Sequence, residues 1–106
     1  MIKIKICNLS RLEDKNYFIK WVKELNDELI VFKIDKKIYI KSSICPHFGG
    51  PITYNQTEKI LHCHWHGLKF SHEGKCLNQK SFKACLNNYD YKLKDNYIYI
   101  YINENS

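Results

Sequence analysis

Two short groups of metal-binding side chains constrain this chain more than any other feature. Cys45-Pro46-His47 and Cys63-His64-Trp65-His66 stand fifteen residues apart, giving C-x-H and then C-x-x-H. For one centre to use all four ligands, two loops have to close on each other over a scaffold that holds them there. Each group offers a soft thiolate and an imidazole, the mixture that suits a two-iron centre with unlike ligands on its irons. Zinc is the competing ion. A Cys₂His₂ zinc finger normally has both Cys on one side and both His on a helix, whereas each group here carries one of each and no helix is evident.

The surroundings agree with a site of this kind. Gly49-Gly50 follows the first group and Gly67 the second, and Pro46 stiffens the first between its two donors. Glycine permits sharp turns and lets backbone N–H groups approach acceptor sulfides closely. All five His and three of the five Cys fall between Ser42 and Gln79, so the middle of the chain reads as a loop-rich insertion between strand-forming flanks.

Those flanks alternate. Ile2-Lys3-Ile4-Lys5-Ile6 and Tyr97 to Ile102 have the two-residue period of strands with one wet face. Leu29 to Ile34 and Ile38 to Lys41 bracket Asp35-Lys36-Lys37 as a hairpin, and Asp95-Asn96 is a turn before the last strand. Short strands are also expected at 61–63 and 68–70. Tyr17 to Val22 fits two readings, since Phe18, Trp21, Val22 and Leu25 have helical spacing while the segment is rich in aromatic and β-branched residues. Strand is preferred, with Asn26-Asp27 as the following turn. The expectation is an all-β, antiparallel sandwich or small barrel in one domain, 1–106.

A chain of 106 residues buries only about two-thirds of its unfolded surface, so a bound metal would add usefully to its stability. The net charge of +6 comes from scattered Lys with Arg11 alone, which argues against nucleic-acid recognition and leaves an acidic protein surface as a plausible partner. No apolar stretch has signal or membrane-spanning length. A soluble, cytoplasmic protein is expected, and a reducing compartment favours metal binding over disulfides. Cys7, Cys76 and Cys85 are then expected as small buried hydrophobes, and His62, His64 and His72 as ordinary surface or strand side chains.

Cys45-Pro46-His47-Phe48-Gly49-Gly50-Pro51 and Cys63-His64-Trp65-His66-Gly67-Leu68-Lys69-Phe70 resemble the two cluster-binding loops of the Rieske family. The paired strands at 28–44, Gly74, Leu86 and the strands at 90–94 and 97–102 are similar to that family as well. The resemblance implies a Rieske-like antiparallel β-sandwich base with an inserted cluster-binding subdomain at about 43–79, holding one [2Fe–2S] cluster. It implies Cys45 and Cys63 on the inner iron, and His47 and His66 on the outer one.

Respiratory members of the family carry a further Cys in each loop, joined as a disulfide; the matching residues here are Gly50 and Trp65. They also present Ser and Tyr hydroxyls to the cluster, where this chain has Leu68 and Phe70. Fewer hydrogen bonds to sulfur favour a low potential. The resemblance is therefore to Rieske ferredoxins of oxygenase systems, which implies a one-electron carrier, not an enzyme by itself. It would take electrons from a reductase, give them to an oxygenase or similar terminal enzyme, and be monomeric when free. A non-catalytic subunit of a larger complex, similar to the small subunit of nitrite reductase, is the alternative, with a zinc-binding interaction module behind it. Trp65 and Phe48, joined by Pro51 and Leu68, form an apolar apron that either docks the partner or covers the cluster.

Overall fold

In the computed structural model of the chain, which describes residues 2–45, 49–65, 67–78 and 86–102, the alternating segments form three antiparallel sheets of three strands each. In the first, β1 (Ile2–Asn8) pairs with β9 (Tyr97–Ile102), and β9 pairs with β8 (Lys92–Lys94). The lysines of β1 face water as expected, while Ile4, Ile6, Ile98 and Ile100 turn inward and are buried. Asp95 and Asn96 both take left-handed backbone, φ 53° and 66°, as the tightest two-residue hairpins require.

The second sheet is β2 (Tyr17–Val22), β3 (Asp27–Ile34) and β4 (Lys37–Ser42), with β3 in the middle. Tyr17 to Val22 is thus a strand, and the helical spacing of Leu25 arises from a single 3₁₀ turn at Lys23–Leu25. Four consecutive residues of β3 are fully buried, and they serve two cores. Leu29 and Val31 join the first-sheet isoleucines and Ile38, Ile40 and Leu12 in one core; Ile30 and Phe32 point into another.

The third sheet covers that second face. It comprises β5 (Ile52–Asn55), β6 (Ile60–Cys63) and β7 (Lys69–Phe70). Phe32 stacks on Tyr54 with ring centres 4.8 Å apart and on Tyr39 at 5.4 Å, fixing the third sheet to the second through aromatic packing. Among the described residues the architecture is all-β apart from the 3₁₀ turn and a five-residue helix, α1 (Arg11–Lys15).

Several boundaries differ from the sequence expectation. α1 and β5 were not anticipated. The 90–94 strand is confined to Lys92–Lys94, because Tyr89 instead donates its N–H to Ile40 beside β4. The 68–70 strand shortens to Lys69–Phe70, since the Leu68 carbonyl closes the loop by accepting from the Cys63 N–H. The β3–β4 connection needs only Asp35-Lys36, with Lys37 already paired to Ile34. Cys7 and Cys76 are half-buried at the margins of the two cores instead of within them. Cys85 lies outside the described residues.

Candidate functional site

The second core ends in sulfur. Cys45 and Cys63 are 1% and 0% exposed and belong to the same cluster of packed side chains as Leu68, Phe70 and Leu86. Cys63 is the last residue of β6, opposite Ile52 of β5. Cys45 stands just past β4, where Ile44 and Pro51 pair across the neck of the first loop. The other two expected ligands, His47 and His66, fall outside the described residues, as does Phe48.

Backbone hydrogen bonds shape both loops. In the first, the Cys45 N–H donates to the Gly50 carbonyl at 2.9 Å and the Gly49 N–H to the Cys45 carbonyl at 2.8 Å. In the second, the Cys63 N–H donates to the Leu68 carbonyl at 2.8 Å. Asn78 then latches the far side, donating its amide N–H to the Gly67 carbonyl and accepting from the Lys69 N–H. Gly49 and Gly67 have φ of 73° and 67° with open space where a side chain would begin, so backbone conformation is what these two positions demand.

Gly50 is demanded for a different reason. A Cβ built there would lie 2.9 Å from Cys63 Sγ and 2.9 Å from Trp65 Cγ. The first loop therefore rests directly on the second, against the sulfur itself. The His64 N–H, donated to the Pro51 carbonyl at 3.1 Å, ties the loops once more. Trp65, although its base is held against Gly50, remains 61% exposed; most of its indole therefore faces outward instead of covering the thiols.

Two acidic residues fix the approach to Cys45. Asp27, at the start of β3, is 7% exposed. Its carboxylate accepts from Ser42 Oγ at 2.8 Å, from the Glu28 N–H at 2.8 Å and from the Tyr89 hydroxyl at 2.6 Å. The Ser42 oxygen in turn accepts from the Ile44 N–H. Glu28 grips the neighbouring residue: its carbonyl takes the Ser43 N–H at 2.7 Å and its carboxylate the Ser43 hydroxyl at 2.8 Å. Residues 42–44, which lead into Cys45, are thus held on both sides. Sequence reasoning took Asp27 for a turn residue and missed this clamp, whose Tyr89 partner is 62 positions away.

Burial, and then the hydrogen bond to Asp27, push the Tyr89 phenol far above its ordinary value of 10.0. The folded state keeps this proton where the unfolded chain releases it, so stability falls as pH rises past about 10. Tyr89→Phe is expected to flatten that alkaline decline. At neutral pH it should cost about 1–2 kcal/mol, because a partly screened hydrogen bond to a carboxylate is lost. Urea unfolding of both proteins across the alkaline range measures this, and identical slopes would contradict it.

The remaining imidazoles are accounted for locally. His64 is exposed with Nε2 2.6 Å from Thr53 Oγ1, its ring 4.9 Å from that of His62. His72 meets Tyr39 edge-on. These are strand and surface side chains, as expected.

Two buried thiols in one core, with a glycine admitting the opposite loop onto one sulfur, fit the thiolate half of a two-iron cluster. The sequence profile of the Rieske [2Fe–2S] domain matches residues 3–90. No curated protein matches the chain. Among solved structures, it is similar to the plasma membrane Rieske protein PetC3 of Synechocystis PCC 6803 (TM-score 0.78, 18% identity, 93% of this chain and 99% of that one). It is equally similar to a ferredoxin of Sphingomonas yanoikuyae B1 (TM-score 0.78, 19% identity, 93% and 97%). The ferredoxin of carbazole 1,9a-dioxygenase from Nocardioides aromaticivorans IC177 follows (TM-score 0.74, 16% identity, 94% and 97%). At these identities the likeness establishes the fold, and the profile match establishes the lineage. This chain belongs to the Rieske [2Fe–2S] domain family and is an electron-transfer module built for that cluster.

Proposed function

We propose that the chain is a Rieske ferredoxin that holds its cluster through Cys45, His47, Cys63 and His66 and passes electrons from a reductase to an oxygenase or similar terminal enzyme. The observation carrying this reading is the contact of Gly50 with Cys63 Sγ, which brings the two ligand-bearing loops together over a pair of buried thiols. When bound, the cluster supplies reversible one-electron transfer. Cys45 and Cys63 anchor the core side and exclude water from it. His47 and His66, neutral donors from the same loops, would take the outer side, from which a partner receives the electron. The third sheet and its loops, about 43–79, act as the cluster-binding part of a single domain spanning 1–106.

Two of the structural neighbours are ferredoxins, one of them named for a dioxygenase, which supports an oxygenase as acceptor. The reading includes a cytoplasmic carrier, monomeric when free; no helix among the described residues is long and apolar enough to cross a membrane. Leu68 and Phe70, 4% and 0% exposed in the core that contains both thiols, bring no side-chain donor to it. The cluster therefore lacks two means of stabilising its reduced, more negative state. Potentiometric titration of the anaerobically reconstituted protein should give one single-electron wave per chain, in the lower part of the roughly −150 to +300 mV Rieske range. A midpoint in the upper half of that range would overturn the oxygenase-type assignment.

A further inference from the structure

On the first sheet, the face turned away from the core is a lattice of lysine and tyrosine. Lys3 stands opposite Tyr101 and Lys5 opposite Tyr99 across β1 and β9; Lys92 stands opposite Tyr99 and Lys94 opposite Tyr97 across β8 and β9. Residues paired in this way share a face. The other face carries Ile4, Ile6, Ile98 and Ile100 into the first core, so all four lysines point outward, and all four are exposed. Diagonal contacts organise the lattice. The Lys3 ammonium lies 4.2 Å above the Tyr99 ring, that of Lys5 3.9 Å above Tyr97, and that of Lys92 5.5 Å from Tyr101.

Ring quadrupoles hold these cations in place and offset their mutual repulsion without neutralising them. None of the four is ion-paired among the described residues, whereas Lys69 and Lys75 elsewhere meet Glu58 and Glu73. The result is an array of positioned ammonium groups with no carboxylate paired to them among the described residues. It also faces away from the thiols, which sit in the core on the far side of the second sheet.

We propose that this lysine–tyrosine face docks an acidic protein partner, holding it while the cluster loops stay free for electron exchange. Along a strand, alternate side chains are about 7 Å apart, so an extended acidic segment with carboxylates at every second residue matches the lysine rows. Nucleic acid fits less well. The tyrosine faces are already covered by ammonium groups, leaving no platform on which bases stack, and the chain's single arginine lies elsewhere, over Phe18. A lipid surface also fits less well, because the face offers no large aliphatic side chain to enter the headgroup boundary; exposed Ile2 and Leu93 have the parity of the core side.

Binding of reconstituted protein to poly-L-glutamate at low salt tests this, followed by fluorescence anisotropy of the labelled polymer. A variant with Lys3, Lys5, Lys92 and Lys94 all changed to Gln is expected to lose affinity by about tenfold or more. A control with Lys23, Lys36, Lys59 and Lys75 changed to Gln, equal in net charge, is expected to stay within about twofold of the parent. The visible spectrum of the cluster, unchanged in both variants, separates loss of this surface from loss of the metal site. If the quadruple variant loses its cluster, Lys92→Gln with Lys94→Gln is read instead, with about threefold loss expected. Equal losses in test and control, no binding by the parent, or tighter binding to oligo-deoxythymidine or to phosphatidylglycerol vesicles would overturn the proposal.

Discussion

Replacing His66 with Cys is expected to leave a cluster in place and to lower its midpoint by roughly 100–300 mV, toward the about −400 mV of all-thiolate two-iron clusters. The reason is electrostatic. A neutral ring gives way to a charged thiolate, so the electron must enter a more negative centre. The change keeps the number of donors, and the neighbouring Gly67 is already held by its carbonyl's hydrogen bond from Asn78, with the Cys63–Leu68 hydrogen bond beside it. A shift confined to stability, with the midpoint unmoved, would show that position 66 is no ligand. The same exchange at His47 should behave alike, since the proposed ligation takes one neutral donor from each imidazole.

Gly50→Ala should have the second-largest effect. Its methyl group would fall 2.9 Å from both Cys63 Sγ and Trp65 Cγ and 3.0 Å from Trp65 Cβ, closer than carbon and sulfur tolerate. Overpacking of this kind typically costs about 1–3 kcal/mol. Here one displaced atom is the sulfur on which the site depends, so retention of iron should suffer along with stability. Combining it with Trp65→Ala removes the contact to Trp65 Cγ but leaves those to the Cβ at position 65 and to Cys63 Sγ. The double variant is therefore expected to regain part of the thermal stability and little of the iron. Full recovery of both would mean that Trp65, and not the sulfur, makes position 50 intolerant.

The parts of the fold legible in the sequence are those where one physical demand acts alone. The Ile–Lys and Tyr–Ile alternations have one wet face and one buried face, and both appear as strands with the predicted sides inward. Tyr17 to Val22 was ambiguous because β2 lies at a sheet edge. Ile19 and Trp21 are left 39% and 53% exposed, so apolar residues occupy both faces and blur the period. The helix α1 is too short to show a period, and Leu12 is what anchors it among its described side chains. The strand β5 is four residues long and owes its existence to pairing with β6.

At the site, the thiols were legible because their chemistry is local: a Cys beside a His, followed by Gly. The clamp was not. Asp27, Ser42 and Tyr89 come from three distant segments, and nothing in a stretch reading Asn26-Asp27-Glu28 distinguishes a buried carboxylate from a turn. The steric role of Gly50 was likewise hidden, since left-handed backbone and absent space favour the same residue. Only the fold tells them apart, Gly49 by its φ and Gly50 by the sulfur beside it.

Iron and acid-labile sulfide, assayed together on anaerobically reconstituted protein, test the central claim most directly. A pair of buried sulfurs joined by two ring nitrogens predicts about two of each per chain, bleached by a single reducing equivalent. Protein that takes up neither after reconstitution, or that binds one zinc ion tightly in their place, would contradict the account.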